Sequence, residues 1–139
     1  WTLSPEKVVT NNEFNTPTLG RRISAIRLAI KKGWKVRLCF DPVIIYDNWE
    51  KDYGELLNKI IILLDCNNIY DITVGVFRMG RDYFQRIRKS NPHSLEYYKD
   101  YVEENKIVTV SQDDRDRVKT LFANKLKDYI ADDKIHFWI

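Results

Sequence analysis

Strand and helix signals alternate along the first 77 residues, and this alternation leaves few folds open. Trp1 to Leu3 is short, aromatic and aliphatic and stops at Ser4-Pro5, which predicts a strand followed by a helix with Ser4 as its N-cap. After a polar loop from Asn11 to Pro17, Leu19, Ile23, Ile26 and Ile30 recur at helical spacing, and Lys31-Lys32-Gly33 supplies a stop. Trp34 to Phe40 is dense in β-formers and ends at Asp41-Pro42, with Val43 to Tyr46 continuing extended past the proline. Tyr53, Leu56, Leu57, Ile60, Leu63 and Leu64 mark a second helix from Trp49, with Asn48 as its N-cap and Asn67-Asn68 as its exit, before a third strand at Asp71 to Phe77. Short links between such elements are the signature of right-handed crossovers on a parallel sheet. The expected class is α/β: the C-terminal half of a partial (β/α) barrel of the TIM type. Three strands are too few to close a barrel or to cover both faces of the sheet.

Beyond Phe77 the pattern changes. A basic helix is expected around Arg81 to Lys89, then Pro92, an aromatic stretch from Tyr97 to Val102, and a turn at Glu104-Asn105-Lys106 into Ile107 to Val110, which together predict a hairpin. Ser111 and the acidic turn Asp113-Asp114 open a last helix whose inner face carries Val118, Phe122, Leu126 and Tyr129, and Ile135 to Ile139 reads as a terminal strand. We expect one domain over 1–139, with the alternating part at 1–78 and a hairpin and helix elaboration at 79–139.

The 139 residues are 44% hydrophobic and 13% aromatic, enough to bury a core. The longest apolar run, Ile60 to Leu64 between Lys59 and Asp65, falls far short of the roughly 20 residues a membrane helix needs, so no membrane partner is expected. The opening Trp1-Thr2-Leu3-Ser4 has neither an initiator Met nor a leader and reads as the cut end of a longer chain. Two cysteines, Cys39 and Cys66, lie far apart in apolar surroundings and point to neither a disulfide framework nor a metal site, so a cytoplasmic location is expected. A net charge of +3 is too mild to demand nucleic acid but leaves room for a local basic face.

No phosphate-binding glycine loop, paired-cysteine motif or histidine pair is present; His93 and His136 stand alone and read as surface or packing residues. Ligands of parallel α/β folds bind at the C-terminal ends of strands, which singles out Thr2 to Ser4, Asp41 to Pro42 and Arg78 to Gly80 on one face. Asp41 either accepts hydrogen bonds from a ribose or an ammonium group, or caps a local turn. Arg78, Arg81, Arg86, Arg88 and Lys89, with Tyr83 and Phe84 between them, form the one basic cluster with aromatic content; it fits a phosphate backbone or the solvated side of a helix.

Trp1-Thr2-Leu3-Ser4-Pro5-Glu6, Glu13 to Arg22 with Thr16-Pro17, and above all Phe40-Asp41-Pro42-Val43-Ile44-Ile45-Tyr46-Asp47-Asn48-Trp49 followed by Tyr53 resemble the C-terminal half of spore photoproduct lyase and its relatives. The likeness runs to the terminal Ile135-His136-Phe137-Trp138-Ile139. It implies a radical S-adenosylmethionine enzyme that repairs thymine photoproducts in DNA through a deoxyadenosyl radical, using a [4Fe-4S] cluster and a reductant such as a flavodoxin or ferredoxin. Cluster ligation needs thiolates close together. Cys39 and Cys66 do not supply them, so the cluster cysteines and the hydrogen-donating cysteine would lie upstream, and this segment alone would be inactive, with no catalytic or metal-ligating residue. By position, Thr2, Ser4 and Asp41 would approach S-adenosylmethionine, and Arg78, Arg81, Tyr98, Lys99 and Tyr101 would contact nucleic acid.

One departure bears on the substrate. The lyase hairpin that enters damaged DNA is rich in Arg, Tyr and Gly, whereas the corresponding turn here is Glu103-Glu104-Asn105-Lys106, and an acidic tip repels phosphates at close range. Two alternatives follow: the same radical chemistry on a non-DNA substrate, and a non-catalytic nucleic-acid-binding module. With Val36, Leu38, Val74 and Val76 assigned to the open inner face of a half barrel, self-association through them is also expected.

Overall fold

A computed structural model describes residues 1–90 and 100–139. Helix α1 (Glu6–Asn12) and helix α2 (Leu19–Lys31) precede strand β1 (Val36–Val43), helix α3 (Trp49–Leu63) and strand β2 (Ile69–Val76). Strand β3 (Arg78–Gly80), helix α4 (Arg81–Ser90), strands β4 (Val102–Glu104) and β5 (Ile107–Thr109), helix α5 (Gln112–Leu126) and strand β6 (Ile135–Trp138) complete the chain.

Two sheets result, a parallel one ordered β1-β2-β6 and an antiparallel one ordered β3-β5-β4. The expected strand at Trp1 to Leu3 shrinks to a single parallel bridge between Thr2 and Cys39, closed by Leu3 N–H to Cys39 O and Cys39 N–H to Trp1 O, both 2.8 Å. The third strand of the parallel sheet is β6, which returns after α5 to pair with β2. Within the 79–139 segment, α5 packs against the parallel sheet and β6 extends it.

Alternation decides which side chains meet. In a strand, successive residues point to opposite faces. Leu38, Phe40, Ile72, Val74 and Val76 are at most 1% exposed and pack with Ile23, Ile26, Tyr53, Leu57, Val118 and Phe122 in one core under the helices. Phe40 meets Phe122 edge to face at 5.1 Å between ring centroids, and the hydroxyl of the buried Tyr53 accepts the Ile44 N–H at 3.0 Å. This corrects the expected faces: Val36, Leu38, Val74 and Val76 lie beneath the helices, because α2, α3 and α5 all cross the same side of the sheet. Association through these four side chains loses its physical basis.

The caps show which local signals held. Thr18 accepts the Arg21 N–H at 3.4 Å at the start of α2, Gly33 ends that helix at φ 78°, and Ser111 accepts the Asp114 N–H at 3.1 Å at the start of α5. Ser4 is not the cap of α1: Pro5 takes the N-cap position and Ser4 is buried. Asn48 holds its place before α3 in the left-handed region (φ 68°), with no side-chain cap hydrogen bond. Tyr129 lies past the end of α5 and is exposed, and Ile130 is buried instead. The hairpin turns on Asn105 and Lys106, both at positive φ as a two-residue primed turn requires, and β3 joins it as a third strand absent from the sequence expectation.

Candidate functional site at the strand ends

The face of the parallel sheet turned away from the helices is polar. Register places Thr2, Cys39, Thr73 and His136 side by side across it, with Arg37 beside Asp71 one step toward the strand starts and Gly75 beside Trp138 toward the strand ends. A parallel sheet covered by helices on one side presents its other side to a barrel lumen, and its ligand-binding end is where the strands finish.

At that end Asp41 and Arg78 hold each other. The Arg78 guanidinium donates to both Asp41 carboxylate oxygens, at 3.0 and 2.8 Å, and also to the carbonyls of Val76 (3.0 Å) and Trp138 (3.4 Å). It thereby fastens the ends of β1, β2 and β6 with one side chain, and its hydrogen bond to Asp41 raises its pKa further. Gly75 makes room for this pair, since a Cβ there would sit 2.5 Å from the Asp41 carboxylate. Two residues that the sequence places in different roles, Asp41 toward a cofactor and Arg78 toward nucleic acid, thus form one ion pair. Their side chains keep 24% and 42% exposure, so the pair borders solvent.

Thr2 is exposed on the same face, one strand away from Asp41, and its carbonyl accepts from Arg22 at 3.3 Å. Arg22 explains the Glu13 to Arg22 stretch that carried part of the resemblance. Its buried guanidinium gathers Glu13 (2.5 Å), Thr16 (2.7 Å), the Pro17 carbonyl (2.8 Å) and the Thr2 carbonyl, fixing the N-terminal segment against β1. The role is architectural.

Arg81 opens α4 and reaches Glu103 at 3.3 Å and Asp82 at 3.3 Å, while its N–H bonds the Lys106 carbonyl at 2.8 Å. Tyr101 is half-buried, stacked on Phe77 at 4.6 Å and edge-on to Phe84 at 5.6 Å, so its ring is part of an aromatic cluster under the hairpin. Tyr98, Lys99 and His93 lie outside the described residues. The structure brings Asp41, Arg78 and Thr2 to one face, and sets Arg81 and Tyr101 beside the neighbouring hairpin sheet.

Sequence reasoning missed a cavity of about 550 Å³ above the ends of β1 and β2, lined among others by Tyr46, Trp49, Glu50, Phe77, Asp114 and Arg117. Burial and a 2.8 Å hydrogen bond to Asp52 hold the Tyr46 phenol above its ordinary pKa. The only early sign was the aromatic density of Tyr46 to Trp49 after a strand end. Among the described residues no three His, Cys, Asp or Glu side chains converge as metal ligands. Cys39 lies in β1 and Cys66 after α3, and burial pushes the Cys66 thiol up, so these residues do not fit an iron–sulfur cluster.

Residues 1–138 match the protein family described as spore photoproduct lyase. A spore photoproduct lyase of Clostridium acetobutylicum is 34% identical over 59 residues, covering 42% of this chain and 18% of that protein. That of Bacillus subtilis (strain 168) is 29% identical over 73 residues, 52% of this chain and 21% of that one. Among solved structures, spore photoproduct lyase complexed with dinucleoside spore photoproduct superposes with a TM-score of 0.73 at 16% identity, and a cysteine-to-alanine variant with 0.77 at 14%. Each covers 98% of this chain, which spans 42% of the solved protein. The fold is therefore that of part of a partial (β/α) barrel, and the chain belongs to the spore photoproduct lyase family.

Proposed function

We propose that this chain forms the strand-end wall and the hairpin of a radical S-adenosylmethionine lyase that repairs UV-induced thymine photoproducts in DNA. The family match over residues 1–138 carries the reading, and the relative solved with dinucleoside spore photoproduct supports a DNA lesion as substrate. S-adenosylmethionine and a [4Fe-4S] cluster supply radical generation. The cluster is held by cysteines that these residues do not provide, so this chain alone is inactive.

In this reading Thr2 and the Asp41–Arg78 pair wall the cofactor at the lumen's strand ends, with Ser4 buried behind Thr2. Ion pairing with Arg78 orients the Asp41 carboxylate. Arg78, Arg81, Tyr98, Lys99 and Tyr101 serve as the DNA contacts. A flavodoxin or ferredoxin delivers the electron, and the protein works in the cytoplasm; no described helix is long and apolar enough to cross a membrane.

The decisive experiment is 5′-deoxyadenosine release by the anaerobically reconstituted full-length protein, with dithionite and S-adenosylmethionine, with and without spore-photoproduct DNA. Release stimulated by the lesion, with thymine recovered, is the expected result. Release without lesion dependence moves the substrate to a non-DNA molecule, the reading that Glu103 and Glu104 favour. No release from a loaded cluster leaves a nucleic-acid-binding module.

A further inference from the structure

The acidic hairpin tip is not a bare repulsive surface. Glu103 and Glu104 are consecutive in β4 and so point to opposite faces of the strand. Each meets a guanidinium: Arg81 Nη1 lies 3.3 Å from Glu103, and Arg115 of α5 grips Glu104 with both terminal nitrogens, one of them at 2.9 Å. The hairpin is clamped from both sides, by α4 and by α5. The Arg115 side chain is only 11% exposed and its Nε–H is buried with no partner among the described residues, so Glu104 leaves one of its donors unsatisfied. Asp82 also pairs with Arg81, and the charge of Asp116 acts on Arg115.

Bidentate guanidinium geometry suits carboxylate and phosphate alike. From this arrangement, and resting on the proposed DNA-directed function, we infer that Glu103 and Glu104 occupy the places of two backbone phosphates on Arg81 and Arg115. The hairpin is then self-latched, and a nucleic-acid strand must displace the two carboxylates to bind. The acidic tip becomes a competitor for the substrate's own contacts, which lowers affinity for ordinary DNA and leaves opening to strands that make further contacts.

The test is a coupling measurement with a labelled oligothymidylate strand on the full-length protein. E103Q/E104Q frees both guanidiniums and should bind several-fold more tightly, at an unchanged slope of log affinity against log salt, since the opened wild type and the variant make the same phosphate contacts. In an R81Q/R115Q background the same two changes should leave the affinity unmoved. An equal change in both backgrounds means simple repulsion and overturns the latch. Should R115Q not fold, the Arg81 and Glu103 cycle alone gives the answer, with a proportionately smaller gain in affinity. Lesion turnover by the wild type without coupling overturns only the latch; no binding by E103Q/E104Q at low salt overturns the latch and the DNA reading together.

Discussion

The two sheets of this molecule are held by different forces. The parallel sheet rests on packing: its helix-side residues are buried almost completely, and Phe40, Tyr53 and Phe122 interlock beneath it. The antiparallel sheet has strands of three residues and an exposed β4, and to the small aromatic cluster of Phe77, Phe84 and Tyr101 it adds two arginine–carboxylate pairs and the Thr109 hydroxyl bonded to the Phe77 carbonyl at 2.8 Å. Packing is indifferent to salt and to mild pH change, whereas exposed ion pairs respond to both. The molecule thus separates a rigid platform from a responsive appendage, and Asp41, Arg78 and Gly75 lie where the two join.

The largest effect should come from breaking the platform. Phe122→Ala removes a fully buried ring that touches both Phe40 and Tyr53. It should cost about 3–5 kcal/mol in chemical denaturation, with whole-molecule loss of cooperativity if the remaining stability is small. A shift within a few tenths of a kcal/mol would show that the helix layer does not hold the sheet.

At the junction, Gly75→Ala drives a methyl into the Asp41 carboxylate and should cost about 1–3 kcal/mol, as overpacking does. Hydrogen exchange should show amides of β3 losing protection before those of β1, because Arg78 is the first residue of β3. Uniform loss would mean that the pair does not link the sheets.

The smallest effect belongs to the appendage. Arg115 holds the Glu104 carboxyl below its ordinary value of 4.5. The pair is therefore intact above that value, and its contribution is lost as pH falls through the lowered one. Acid should loosen the hairpin while the platform stays folded, read as NMR shift changes at Val102 to Lys106, and E104Q should abolish that step. Loss of platform and hairpin at the same pH would erase the distinction.

Apolar spacing marked α2 and α3 closely because both helices bury one stripe, and β-former density marked β1 and β2 because their interior positions are fully covered. The site was only half legible. Asp41 and Arg78 were flagged separately by their places at strand ends, but their pairing spans 37 positions of sequence, and no local pattern encodes such a distance. The same holds for Glu103 and Glu104, whose acidity read as repulsion until α4 and α5 brought Arg81 and Arg115 against them. Trp1 to Leu3 misled in the other direction, since a β-rich tripeptide makes a strand only as far as a neighbour offers hydrogen bonds, and β1 meets it only through the Arg37 carbonyl and the bridge at Cys39.

Local spacing by itself determined the order of the helices and of β1, β2 and β6, the parallel class and the turn at Asn105-Lys106, because periodicity and positive-φ preference act over a few residues. Only the tertiary structure decided which face of the sheet is polar, where β6 inserts, and which charges neutralise one another, because each depends on how three helices choose one side of a sheet.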